Sequence, residues 1–146
     1  MMIRAFNKKD MIPVMDIWLK TVIDAHDFID AFYWNNAYNT VKEKYLFKSK
    51  TFVFEADDVI AGFLSVISDD TIGALFIDQH YQRQGIGTKL MNHVKQKFNL
   101  LSVSVYQKNL NALAFYKKNG FVYQYSQNDL NTNEREDVLV FKVDVH

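Results

Sequence analysis

The stretch TIGALFIDQHYQRQGIGTKL, residues 71–90, decides how the chain is read. Residues 71–78 are a β-rich run, and two of the five glycines, Gly85 and Gly87, stand in the turn after it. From Ile86 the apolar period changes, and Ile86, Leu90, Val94 and Phe98 share one face of a helix. A strand, a glycine turn and a helix start put unpaired N–H groups beside backbone that a ligand can approach closely. The turn therefore suits a phosphate on the N–H groups of Gln84, Gly85, Ile86, Gly87 and Thr88, with Arg83 alongside. Two nucleotide signatures do not fit. A dinucleotide fingerprint needs glycine where Leu90 stands, and a Walker loop cannot be made from Gly87-Thr88-Lys89.

Upstream, residues 3–6 read as a first strand. Asn7, with Asp10 three residues on, reads as a helix start, and Pro13 is tolerated in the first turn. Met11, Val14, Met15, Trp18, Leu19, Val22 and Ile23 follow at helical spacing, and a second helix is expected over residues 31–47. Residues 51–55, 59–67 and 71–78, parted by Asp57-Asp58 and by Ser68-Asp69-Asp70, read as three consecutive antiparallel strands. Downstream, residues 101–106 alternate as a half-covered strand, and a helix from about Leu110 ends at Gly120. Residues 121–125 and 138–143 complete the set. The order β-α-α-β-β-β-α-β-α-β-β is an α/β chain with one mixed sheet and helices on its faces. No repeat or linker divides it, so residues 1–146 are expected to form a single domain.

Composition narrows the function classes. The 146 residues contain no cysteine, which excludes a disulfide scaffold, a thiolate metal site and a cysteine nucleophile. His26, His80, His93 and His146 show no ligand spacing, so no metal is expected. Without an apolar span or a signal-peptide core, a cytoplasmic protein with no membrane partner is expected. The 17 basic and 17 acidic side chains balance only in sum. Residues 1–78 hold eight basic and twelve acidic groups, and residues 79–146 hold nine and five. Between Asp78 and Asp129 there is no carboxylate, whereas Arg83, Lys89, Lys95, Lys97, Lys108, Lys117 and Lys118 all fall there. That pattern points to an anionic partner for this half of the chain. Nucleic acid is not expected, because no binding motif accompanies the charge.

The glycine turn also carries a family resemblance. Gln82-x-x-Gly85-x-Gly87 between strand and helix resembles the acetyl-CoA loop of the GCN5-related N-acetyltransferases, the GNAT superfamily. A second match lies twenty residues on, where Asn109-x-x-Ala112-x-x-Phe115-Tyr116-x-x-x-Gly120-Phe121 is similar to the family's fourth helix and its exit. Segments such as Ala74-Leu75-Phe76-Ile77-Asp78 and Val105-Tyr106-Gln107-Lys108-Asn109 resemble its small bacterial branch, which includes peptidyl-lysine acetyltransferases. Gln79 departs from the proline often found before the loop.

The resemblance implies a GNAT fold with two splayed central strands, residues 71–78 and 101–106. It also implies that pantetheine pairs with the backbone of Leu75, Phe76 and Ile77, and that pyrophosphate rests on Gln82, Arg83, Gln84, Gly85, Ile86, Gly87 and Thr88. Asn109 and Tyr116 would contact the cofactor, and Tyr116 would be the general acid for the departing thiolate. The implied activity is that of an acyltransferase: direct acetyl transfer from acetyl-CoA to a primary amine, with a protein lysine as one acceptor. A polyamine- or aminoglycoside-like amine and a non-catalytic CoA-binding regulator are the alternatives. The chain would act as a monomer or homodimer. Asn109 serves equally as a helix cap. For the general base the residues leave His26, Glu55, Asp70, Asp78 and His80 open, with His26 and Glu55 foremost. Phe28, Tyr33 and Trp34 could line a cleft for a cationic acceptor, drawn by Asp24, Asp27 and Asp30.

Overall fold

The computed structural model describes residues 1–46 and 48–143. Phe47, the expected last residue of the second helix, and His146 lie outside them. The elements run β1 (Met2–Ala5), α1 (Met11–Ala25), α2 (Ala31–Thr40), β2 (Lys50–Ala56), β3 (Val59–Ile67), β4 (Thr71–Ile77), α3 (Ile86–Lys95), β5 (Leu100–Tyr106), α4 (Leu110–Lys118), β6 (Val122–Asn128) and β7 (Arg135–Lys142). All seven strands form one sheet in the order β1-β2-β3-β4-β5-β7-β6. Neighbours are antiparallel except β4 and β5, which are parallel.

The start of α1 shows how local chemistry and long-range pairing combine. The Lys9 N–H donates to Asn7 Oδ1 (3.3 Å) and the Asn7 N–H to Asp10 Oδ2 (2.8 Å), a reciprocal capping box at the expected helix start. It opens a short 3₁₀ turn, Lys8–Asp10, that leads into the helix. Asp10 is 3% exposed, and both its oxygens accept from the Arg4 guanidinium, at 2.7 and 2.9 Å. The same guanidinium reaches Glu55 Oε1 from Nε (2.9 Å) and Nη2 (2.6 Å). One forked cation thus fastens β1 to the end of β2 and to the start of α1.

Two apolar layers flank the sheet. Met15, Trp18 and Val22 of α1 and Trp34 of α2 cover one face over Val53 and Phe63. On the other face, Leu90, Met91 and Val94 of α3 pack with Leu64, Val66, Leu101 and Leu139. The second helix, the third helix and the last two strands differ from expectation, and the third helix ends at Lys95, before Phe98. The second helix is α-helical only to Thr40 and winds as a π-helix over Val41–Leu46, a change that begins at the β-branched pair Thr40-Val41. Strands β6 and β7 run further towards their shared turn than their apolar residues suggest. Polar cross-strand contacts carry the extension: Gln127 to Glu136 and Ser126 to Asp137, both 2.8 Å, and Arg135 to Asn128, 3.2 Å.

The Arg4 guanidinium holds the Asp10 carboxyl below the usual carboxylate range. Its contribution to stability is therefore complete above about pH 4 and is lost as the pH falls through the folded-state pKa. Asp10→Asn is expected to lower the unfolding free energy by about 2–4 kcal/mol at neutral pH. Urea unfolding from pH 7 down to pH 2 should show the variant and the parent converging at the acid end. A pH-independent difference would remove the ion pair as its source.

Candidate active site

Strands β4 and β5 pair at only two positions, Thr71 with Ser102 and Ile72 with Val103. The Ser102 N–H to Asp70 O bond (2.8 Å) and the contact between the Thr71 and Ser102 hydroxyls (3.2 Å) pin this vertex. Beyond it, β4 stays with β3 as far as Ile77 opposite Gly62, while β5 stays with β7 as far as Tyr106 opposite Glu136. The two strands part, and a gap opens between them.

Gly73 sets what faces that gap. Ile72 pairs with Val66 and Ala74 with Ser65, so Gly73 is an extra residue, a bulge at the vertex. A Cβ there would lie 2.8 Å from Ile67 Cγ2, closer than packed atoms allow. Past the bulge, the Asp78 N–H donates to Ala61 O (2.7 Å), and Phe76 stands opposite Phe63 in the same register. Antiparallel alternation then assigns the Phe76 peptide groups to β3 and turns those of Leu75 and Ile77 towards the gap. Ile77 O accepts a bond from Gln82 Nε2 (3.0 Å), so the Gln82 side chain fastens the loop to the strand end. The Phe76 ring instead lies on the α1–α2 face, 6.1 Å from Phe63.

The glycine loop begins with Asp78, whose carboxylate accepts the His80 N–H (2.9 Å) and starts the 3₁₀ turn Gln79–Tyr81. Arg83 and Gly85 take positive φ, 67° and 78°. A Cβ on Gly85 would meet nothing within 4 Å, so its role is the left-handed backbone and the open approach rather than packing. Helix α3 follows at once, with Lys89 N–H on Gly85 O (3.0 Å), and Ile86, Gly87 and Thr88 occupy its first turn. At Gly87 a Cβ would stand 3.3 Å from Phe115 Cε1, which is where α3 meets α4. Three of the seven basic groups lie against rings near this helix: Lys89 over Phe54 (5.9 Å), Lys95 over Phe141 (4.6 Å) and Lys97 over Phe52 (5.9 Å). Arg83 stands in the turn itself.

Helix α4 carries Tyr116, 7% exposed and packed edge-on against Phe115 (5.3 Å) and Phe121 (5.2 Å). Burial pushes its phenol well above the usual range, so it remains protonated. Asn109 caps the helix, with Oδ1 accepting the Ala112 N–H (3.2 Å), and its Nδ2 donates to His26 Nε2 (3.2 Å). The other ring nitrogen, Nδ1, lies 2.8 Å from Val22 O and must be the donor there. His26 is thus 8% exposed, has both nitrogens engaged, and has its pKa lowered by burial. Glu55 is bound to Arg4 two strands away from β4. The structure therefore brings Leu75, Ile77, the loop, Asn109 and Tyr116 to one region. It places His26 in a hydrogen-bonded wall and Glu55 in the Arg4 ion pair.

Tyr106 and Asp129, to which the sequence assigns no task in the site, close the α1–α2 side of the gap. Tyr106, at the end of β5, packs against His26 (5.2 Å) and Phe28 (5.8 Å), and its hydroxyl donates to Asp129 Oδ2. Burial, and then Asp129, push the Tyr106 phenol far up. Asp129 is fixed in turn by the Asn131 N–H on Oδ1 (2.9 Å). Carboxylates return in the sequence at Asp129, Glu134, Glu136 and Asp137 after fifty residues without one, and that return is the signal that could have drawn attention to this turn. Among the described residues, no group of three or more His, Asp or Glu side chains could hold a metal ion, and no helix is long and apolar enough to cross a membrane.

Comparison with known proteins bears on the family and the fold. A family model described as "Acetyltransferase (GNAT) domain" matches residues 23–133. The peptidyl-lysine N-acetyltransferase YiaC of Escherichia coli K12 is 34% identical over 120 residues, 82% of each chain. The solution structure of apo-form YjaB from Escherichia coli superposes with a TM-score of 0.82 at 27% identity, covering 96% of each chain. A GNAT family acetyltransferase from Elizabethkingia anophelis, solved with acetyl-CoA bound, shares the fold with a TM-score of 0.75 at 16% identity over 97% of each chain.

The His26 geometry has a titration signature. The folded imidazole resists protonation, whereas the unfolded one protonates near pH 6.5. Stability is therefore expected to fall as the pH drops below about 6.5, until the folded-state pKa is reached. His26→Leu should remove that component of the slope, measured by chemical unfolding between pH 8 and pH 5. An identical slope in the variant would mean that His26 stays accessible to protons.

Proposed function

We propose a lysine N-acetyltransferase activity for this chain, which belongs to the GNAT acetyltransferase family. The donor is acetyl-CoA, and the acceptor is the side-chain amine of a protein lysine. The carrying observation is the parting of β4 from β5 after two paired residues, which turns the Leu75 and Ile77 peptide groups into a gap that leads to the α3 N-terminus. The residues fit the donor. Open space around Gly85 and the first-turn N–H groups of Ile86, Gly87 and Thr88 suit a pyrophosphate, and Arg83 adds charge. Leu75 and Ile77 offer peptide groups to an extended arm, as a sheet offers an edge to an added strand. The naming of YiaC as a peptidyl-lysine N-acetyltransferase supports the acceptor class.

When bound, the donor supplies an activated thioester. The chain's part is to hold both reactants, to receive negative charge on the carbonyl oxygen and to return a proton to sulfur. One gap-facing N–H of β4, that of Leu75 or of Ile77, is the donor for that oxygen, fixed before reaction by the strand it belongs to. Tyr116 is the proton donor: burial keeps it protonated, and Asn109 holds the start of the helix that carries it. His26 positions Asn109 and does not act as the base. The acceptor's proton leaves through solvent: both nitrogens of His26 are engaged, Glu55 is tied to Arg4, Asp70 accepts from the Thr71 hydroxyl at the closed vertex, and Asp78 caps the glycine-loop turn on which His80 is exposed. The two faces of the sheet serve separate tasks, with the donor's phosphates on the α3 side and the amine on the α1–α2 side.

Tyr116→Phe is expected to lower kcat by about 10²-fold or more while acetyl-CoA affinity changes little. CoA thiol release with lysine peptides measures the first, and calorimetric titration measures the second. With proton loss through solvent, kcat/KM should keep rising with pH towards the acceptor's own pKa of about 10.4. A parent protein that binds acetyl-CoA but turns over no lysine peptide would defeat the assignment.

A further inference from the structure

Lys108 has no task in the chemistry above, yet its ammonium is held by other elements of the fold. It follows β5 and precedes the Asn109 cap, and its Nζ lies 5.5 Å over the Phe28 ring and 3.2 Å from Glu134 Oε1. Phe28 lies in the α1–α2 connection, and Glu134 in the β6–β7 connection. These two segments meet at the end of β5, where the Phe28 ring lies 5.8 Å from Tyr106 and the Tyr106 hydroxyl donates to Asp129. An aromatic face with a carboxylate beside it is a receptor for an alkylammonium: the ring quadrupole and the negative oxygen both attract the cation.

We propose that Phe28 and Glu134 form the subsite for the acceptor's ammonium, and that Lys108 occupies it in the free protein as a resident competitor. The inference rests on the amine-acetyltransferase reading and names the groups that receive the amine. Lys108 is itself a lysine, so its contacts display the chemistry that an incoming lysine side chain would use. The Lys108 side chain is 61% exposed and that of Glu134 is 20% exposed, so the lysine is the partner able to swing away. A pair wetted on one side is screened and readily exchanged. The wall behind it stays in place, because Tyr106 is tied to Asp129, and Asp129 to the Asn131 N–H. An acceptor lysine takes over the Phe28 face and the Glu134 carboxylate, and Lys108 moves into solvent. No bond is made or broken in this exchange.

Lys108→Met keeps an unbranched stem over the ring and removes the charge. It is expected to lower the KM for a lysine peptide about three- to tenfold, while Glu134→Gln raises it about tenfold. Neither should move the KM for acetyl-CoA, which separates an amine subsite from general loss of structure. A binding measurement without donor completes the test: Nα-acetyl-lysine methylamide titrated into ¹⁵N-labelled protein. The Phe28 and Glu134 amides should shift, and at lower ligand concentration in Lys108→Met than in the parent. An unchanged or raised peptide KM in Lys108→Met overturns the inference, and so do unmoved Phe28 and Glu134 amides. In either case, turnover of the peptide would leave the acetyltransferase reading standing. Amide shifts without turnover of any amine would instead support the subsite and defeat that reading.

Discussion

The parallel pairing of β4 with β5, confined to Thr71 with Ser102 and Ile72 with Val103, is the constraint on which the rest depends. On one side of it lie β1 to β4, and on the other β5, β7 and β6, each a continuous antiparallel ladder. A sheet that paired fully across this seam would bury the Leu75 and Ile77 peptide groups in ordinary ladder bonds. Pairing that stopped earlier would leave two sheets. Side-chain contacts to α4 brace the open seam. Asn109 reaches His26 at the end of α1, and Phe115 rests against Gly87 at the start of α3. Tyr116, beside Phe115, is thereby placed relative to the helices on both faces of the sheet.

Much of this was legible in the residues. The order of elements follows from periods of two and 3.6 and from turn chemistry, and the glycine turn was readable because glycine at such a place has few other uses. What stayed hidden is long-range or depends on counting. Arg4 bonds to Asp10 and to Glu55, 51 residues away, and no local pattern announces that Glu55 is already committed. His26, an imidazole between the first two helices, reads naturally as a base. Its partner Asn109 lies 83 residues on, and only the fold shows that both nitrogens are engaged. Phe76 reads as equal to its neighbours on β4, because the facing of a peptide group depends on register and not on residue type. The polar end of β6 lacks an apolar alternation altogether, and its pairing comes from side-chain amides, hydroxyls and carboxylates.

The balanced charge also acquires a spatial meaning. The carboxylate-free stretch does not present a uniformly basic surface, since Lys95 and Lys97 lie along aromatic rings and Lys95 also bonds to Asn119 O. The positive potential at the loop comes from Arg83 and from the helix end. Of the carboxylates that return at residue 129, Asp129 bonds to Tyr106 and Glu134 reaches Lys108 beside Phe28, on the α1–α2 side. Opposite signs approach one gap from its two sides.

The Gly73 bulge makes the site depend on parity. Each residue added to or removed from β4 between the bulge and the loop exchanges which peptide groups face β3 and which face the gap. Side chains at Leu75 and Ile77 can therefore vary among apolar types without moving a single gap-facing N–H. One inserted or deleted residue would turn every one of them inward. A relative of this chain can drift far in composition along this strand, provided its length counted from the bulge is kept.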